Sequence, residues 1–475
     1  MSEQTGLPPA GSAGRLSAWA LVGAIFALGQ GIEVGGARFS VLGLAWVAVG
    51  LAICAAVVAG LARSDRAAPS ERALFAFGAA VFSVQILQMW NGDAAGPIGD
   101  SLDWSWFGGG VLLAGVVGFA GLYSPAGWRR GLVLALLALH LALGIWTVRS
   151  EPEPKIDVFV FQQEASRALA SGRNPYQLAM PDIYDQEESA KLYAPGWWQG
   201  HRLRFGFPYP PLSLLLAFPG YLFGGDVRLA QVVATTLAGG LIAFLAPSRL
   251  GLLAAALFLF TPRGFYVLEQ GWTEPFPVLL FAAFVWAVVR APRGRPWLLG
   301  ALFAVKQYLI VIAPLLPLLE ANLPARRTPR RLPRWAIQAL GIAAAITAPF
   351  VLWDPQAFYR SVVAVHLAQP YRPDSLTFLA LLPDAFAVTL SFLSPLAAIG
   401  AIGLALRRGA RTPAGFSVSA ALTLLAFFAF SKQAHANYYH LAIGMLAVSL
   451  AALASATPAI DSAGRADQNL PVPTT

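Results

Sequence analysis

The chain is poor in the residues that soluble proteins use most. Only 12% of its 475 residues are charged, where soluble domains carry roughly a quarter, so a water-exposed surface enclosing a single core is excluded. There is one cysteine, Cys54, inside an apolar run. That excludes an internal disulfide and a cysteine metal centre. The five histidines, His140, His201, His366, His435 and His440, include no pair four apart on a helix, so metal chemistry through histidine is not expected either. Lysine is scarce: four residues (155, 191, 306 and 432) stand against 29 arginines. The N-terminal dozen residues lack a basic start before an apolar core, so no cleavable signal is expected.

Apolar residues fill the space left by charge. They make up 57% of the chain and mean hydropathy is +0.61. Since one membrane span takes about 20 such residues, the expectation is an all-α polytopic bundle of about 12–14 crossings. Runs near 16–34, 40–62, 73–90, 106–124 and 131–148 are each long enough to cross. Arg63, Arg66 and Arg72 follow the second run, and Arg129 and Arg130 follow the fourth. The segment after the third carries Asp93, Asp100 and Asp103 without Lys or Arg. Positive residues mark cytoplasmic loops, which places both termini inside and the longest polar stretch, 149–208, outside. Further basic clusters, Arg290/Arg293/Arg295, Arg326/Arg327/Arg330/Arg331/Arg334 and Arg407/Arg408/Arg411, mark later cytoplasmic loops. Residues 354–374 and 432–438 then face out.

Two apolar segments do not count simply. Residues 209–224 are short, contain proline and suit a re-entrant element. Residues 297–321 have basic clusters at both ends and read as a hairpin of short helices with Lys306 near its outer tip. Irregular backbone at membrane depth needs surrounding protein or a water-filled cavity, so both point to a cavity opening outward. Glu269 and Glu274 bracket an apolar entry and are expected at its rim. The tail beyond 455, rich in Ala, Pro, Asp and Thr, reads as disordered and cytoplasmic.

The outer stretch concentrates acids: Glu151, Glu153, Asp157, Glu164, Asp182, Asp185, Glu187 and Glu188 are eight of the 24 in the chain. From Asp157 the pattern is that of an amphipathic helix, with Val158, Phe161, Ala165 and Leu169 on a stripe and Gly172 as its stop. Asp157 also suits a capping role there. Arg173-Asn174-Pro175-Tyr176 follows as a turn, and Tyr209-Pro210-Pro211-Leu212 enters the next apolar run. Tyr176 and Tyr209 also suit interfacial anchoring.

A span, an outer-loop Asp opening a helix that ends in Gly-x-Asn-Pro-Tyr, and then Tyr-Pro-Pro-Leu together resemble the GT-C superfamily of membrane glycosyltransferases. Within it the chain is most similar to glycosyltransferase family 87, the polyprenyl-phosphate-mannose-dependent enzymes and their relatives. Glu269-Gln270-Gly271, Lys306-Gln307-Tyr308 and His435-Ala436-Asn437-Tyr438-Tyr439 add to the resemblance, which covers about 131–455. It divides the chain into a four-span extension (1–130), a catalytic transmembrane module (131–455) and the tail (456–475). The Gln-Gly order is reversed from the family's usual pair, and four extra spans precede the active loop.

The resemblance implies inverting transfer of a hexose, mannose first, from a polyprenyl-phosphate carrier to a lipid or glycan acceptor on the outer face; no cofactor is expected. Such transfer needs a base for the acceptor proton, and Asp157 is the leading candidate, with Glu151 and Glu153 as rivals. The anionic leaving group calls for cations. Lys306, Arg360, Arg372, His366 and Lys432 fall at outer ends, and lysine is notable where arginine is the default. Tyr176, Tyr209, Gln270, His435, Asn437 and Tyr438 are the expected substrate contacts. The Ala/Arg-rich usage fits a bacterial cytoplasmic membrane, with membrane lipid and no nucleic acid as partners. A transporter or flippase of lipid-linked sugars, or a carrier-binding relative without turnover, stays open as an alternative.

Overall fold

A computed structural model of the chain describes residues 12–61, 69–91, 104–320 and 333–455. The expectations placed on Arg63, Arg66, Asp93, Asp100, Asp103, the arginines 326–331 and the tail lie outside these residues. The protein is a helical membrane bundle. The five leading apolar runs form α1 (Ser12–Glu33), α2 (Val41–Ala59), α3 (Glu71–Trp90), α4 (Trp104–Tyr123) and α5 (Ala126–Ser150). Between α5 and the next apolar helix lie α6 (Asp157–Ala170), α7 (Gln186–Leu192) and a small antiparallel ribbon, β1 (Trp198–Gln199) with β2 (Arg202–Leu203). There follow α8 (Pro211–Gly224), α9 (Arg228–Leu245), α10 (Arg249–Leu259), α11 (Gly264–Glu269), α12 (Pro275–Arg290), α13 (Arg295–Val305) and a 3₁₀ segment, Gln307–Leu319. The chain closes with α14 (Arg334–Trp353), short α15 (Pro355–Tyr359), α16 (Val365–Ala368) and α17 (Asp384–Thr389), then α18 (Leu393–Arg408), α19 (Pro413–Ala429) and α20 (Ala436–Leu453).

Among the described residues, nine helices are long and apolar enough to cross a membrane, and five apolar helices are shorter. Ser and Thr caps start several of them: Ser40 Oγ accepts from the Gly43 N–H, Ser70 from Ala73, Ser248 from Gly251 and Thr412 from Gly415, each satisfying an otherwise orphaned donor. Proline opens α8, α12 and α19, where its missing N–H costs nothing. Small residues bring the helices together. A Cβ at Gly50 of α2 would sit 2.7 Å from Leu28 of α1, and one at Gly144 of α5 would sit 2.6 Å from Val232 of α9, the close approach on which helix packing in lipid depends.

One continuous core runs from Ala18 to Ala454. Its centre is α20, 89% buried, which packs on α1, α10, α12 and α19. By contrast α14 and the α17–α18 span, 17% and 22% buried, present most of their surface outward. The four leading helices are part of this core, because α1 lies against α20 and α2 against α18 and α19. A second cluster, with Phe161, Tyr176, Phe205, Phe207 and Phe350, packs the segment between α5 and α8.

The two irregular segments have a physical basis. Both ends of α8 are tied to the α6 region: Tyr209 lines the same cavity as Asp157, and Gln163 Nε2 donates to the Gly225 carbonyl at 2.6 Å. Both flanks of the helix therefore lie beside α6. At Lys306 the backbone turns extended (φ −152°, ψ 136°) between α13 and the 3₁₀ segment, whose Pro314 and Pro317 lack the N–H that a regular helix would use.

Candidate active site

The loops at one end of the bundle converge on a cavity of about 280 Å³. Its walls come from the α1–α2 loop, the start of α6, Tyr184 and Tyr193 around α7, the α11–α12 turn, Lys306, the α16 region and the turn before α20. At the other end lie Arg249 and Arg290: Arg249 pairs with Glu71 at 3.6 Å and donates to the Leu122 carbonyl, and Arg290 donates to the Leu245 carbonyl.

Asp157 is the first residue of α6, and Gly172 (φ +70°) follows the end of that helix. Its capping position belongs to Ile156, which has no side-chain acceptor. The carboxylate takes one local bond, from the Val158 N–H to Oδ1 at 2.7 Å. Oδ2 accepts from the Tyr193 hydroxyl at 2.9 Å, and the Asp157 N–H donates to the Tyr184 hydroxyl at 3.2 Å. Burial raises the Asp157 pKa above the ordinary carboxylate value, against the Tyr193 and Val158 bonds and the Arg372 charge, which favour the anion. Such a group is a stronger base than an exposed aspartate. Glu151 and Glu153 do not line the cavity; Glu188 does, but exposed on the first turn of α7.

The cations around Asp157 differ in their engagements. Arg372 lines the cavity and forks onto Asp374, Nε to Oδ1 at 2.8 Å and Nη2 to Oδ2 at 2.9 Å. Burial pulls the Arg372 pKa down, but its bonds to Asp374 and the Asp157 charge outweigh this and raise it. Lys306 is 5% exposed. Its amine lies 3.0 Å from Glu274 Oε1, bonds Thr273 Oγ1 and stands 4.1 Å over the Tyr209 ring. Glu274 also accepts from the Tyr308 hydroxyl at 3.0 Å. The rim position expected for Glu269 and Glu274 is therefore corrected: both are buried. The Glu274 carboxylate persists at this depth because Lys306 and the Tyr308 hydroxyl compensate it, while Glu269 accepts from Gln270 Nε2 at 3.0 Å. Arg38 and Lys155 also reach the cavity, and among the described residues neither makes an ion pair or side-chain hydrogen bond.

His366 bonds the Pro208 carbonyl through Nε2 at 2.6 Å, and burial lowers its pKa. Burial, then the Arg372 charge, brings His435 to about 4. Both imidazoles are neutral at neutral pH. The cavity thus gathers Asp157, Lys306, Arg372, His366, Tyr209, Gln270, His435, Asn437 and Tyr438. Three expected site residues lie elsewhere. Tyr176 is fully buried, its hydroxyl donating to the Tyr209 carbonyl, so it shapes the Tyr-Pro-Pro turn from behind. Arg360 is exposed on a π-helical turn, and Lys432 reaches towards the Gln369 carbonyl at 3.4 Å. Neither lines the cavity. Sequence reading missed Arg38, Lys155, Tyr184 and Tyr193 as cavity residues. It also missed Arg228, which is wholly buried and binds Asp226, the carbonyls of Glu269, Val148 and Pro152, and the Phe159 ring at 4.5 Å. Arg228 ties α5, α6, α9 and α11 together beside the cavity. Among the described residues no group of three or more His, Cys, Asp or Glu side chains could hold a metal ion.

No family model and no curated protein matches the chain. Among solved structures, it is similar to ArnT from Cupriavidus metallidurans bound to undecaprenyl phosphate, at 17% identity and a TM-score of 0.45. The match covers 70% of this chain and 60% of that one, so the chain spans less than two thirds of that protein's length.

Proposed function

We propose that the protein is an inverting GT-C-type glycosyltransferase that moves a hexose from a polyprenyl-phosphate carrier to an acceptor hydroxyl at the outer face of a bacterial cytoplasmic membrane. The observation that carries this reading is Asp157, whose carboxylate accepts from Tyr193 and whose backbone N–H donates to Tyr184, in the cavity that also contains Arg372, Lys306, Arg38 and Lys155. An acceptor hydroxyl beside Oδ2 gives its proton to Asp157 as its oxygen bonds to the anomeric carbon, and the carbon–oxygen bond to the phosphate breaks on the opposite side. Displacement in one step inverts that centre. The departing phosphate takes the electron pair, and the cations lining the cavity stabilise it. Neutral His366 and His435 supply hydrogen-bonding groups rather than charge.

The sequence's basic clusters, with Arg249 and Arg290 at the end opposite the cavity, support an outward-facing cavity. The sequence resemblance supports the polyprenyl-phosphate donor and makes mannose the first sugar to try. Purified protein incubated with radiolabelled polyprenyl-phosphate-mannose and a membrane extract should release polyprenyl phosphate and give a labelled product of inverted anomeric configuration. Recovery of intact donor on the opposite face of a vesicle, without bond cleavage, would favour a flippase instead.

A further inference from the structure

The four leading helices add a side chain to the cavity. Arg38 lies in the short loop joining α1 to α2 and lines the cavity together with Asp157. Its backbone is fixed at several points. Glu33, at the end of α1, pairs with Arg263 at 3.2 Å with both side chains buried. The Phe39 N–H donates to the Asp374 carbonyl at 2.9 Å, and the Ala37 N–H to Ile32 at 2.9 Å. Ala37 itself sits at φ +66°, a left-handed conformation costly for a residue with a Cβ, and Arg263 at φ +63° is in the same state. Strained backbone held by its surroundings tends to mark functional sites. Here it bounds the loop that presents Arg38.

Buried Lys306 is engaged with Glu274 and part-buried Arg372 with Asp374, whereas Arg38, like Lys155, is exposed at the cavity. Arg38 makes no such pair among the described residues. It also stands where the polar cavity meets the apolar exterior: Val41 and Leu42, three and four residues on, are 66% and 58% exposed. A cation with an apolar flank of this kind suits an amphiphile with an anionic head and a long hydrocarbon tail.

We infer that Arg38 binds the phosphate of the lipid carrier at the cavity mouth, so that the leading helices are part of the binding site. The inference rests on the transferase reading above. Binding of a polyprenyl monophosphate to the full chain in detergent tests it, with the uncharged polyprenol as control. Arg38→Gln should weaken polyprenyl phosphate binding by about tenfold or more, as loss of a charge-assisted contact does, and leave polyprenol binding unchanged. Arg38→Lys should restore most of the affinity. In turnover, Arg38→Gln should lower kcat/KM for the donor by a similar factor while the pH profile stays put, because the phosphate contact titrates no proton of the transfer. Equal affinity of Arg38→Gln and wild type for polyprenyl phosphate overturns the inference while the transferase reading stands. A wild type that binds no polyprenyl phosphate overturns both.

Discussion

The Tyr193 hydroxyl donates to Oδ2 of Asp157 at 2.9 Å, across 36 residues of sequence. The bond orients the carboxylate and stabilises its charged form, while burial works the other way and wins. In the proposed mechanism Asp157 acts as the anion, so activity should fall as pH drops through its raised pKa. Tyr193→Phe removes a contribution that lowers that pKa. The acid limb of the pH–kcat/KM profile should therefore move to higher pH, with the rate on the plateau reduced far less than by loss of Asp157 itself. An unmoved acid limb in a folded Tyr193→Phe protein would remove Tyr193 from this role.

Lys306 and Glu274 form a buried pair, and removal of one partner strands the other. Lys306→Gln and Glu274→Gln should each cost about 3–5 kcal/mol, seen as a lower midpoint of thermal unfolding in detergent. The double variant should recover much of that loss. Additive destabilisation in the double variant would show that the two groups are not coupled.

Arg228 holds four segments through Asp226 and three backbone carbonyls. Lysine carries the charge but not the planar fork. Arg228→Lys should therefore expose the α5–α6 junction to limited proteolysis, and Arg228→Met more so. Wild-type protease resistance in both variants would contradict its bracing role.

The amphipathic period and Gly172 made α6 legible, and the clash of apolar length with flanking arginines located the break at Lys306. The partners of these residues were not legible, because contacts made across loops leave no period. Tyr184 and Tyr193 sit 27 and 36 residues from Asp157, and nothing in their spacing aims them at it. Glu274 looked like a rim acid because its compensating cation comes from the next hairpin. Arg38 looked like any arginine between two spans, since its place depends on α1 packing against α20.

Orientation is open to direct labelling. Glu187 is exposed on α7, with 83% of its side chain accessible, and Cys54 is buried. A cysteine at Glu187 in a Cys54→Ser background should react with an impermeant maleimide in intact spheroplasts. Labelling only after lysis would reverse the topology.

The central claim is that Asp157 takes the acceptor proton. Asp157→Asn keeps the side chain's size and an oxygen for Tyr193 while removing the basicity. With purified protein, polyprenyl-phosphate-hexose and acceptor, kcat should fall by roughly 10²–10⁴-fold while polyprenyl phosphate binding stays at the wild-type level. Normal turnover by a folded Asp157→Asn protein would contradict the account.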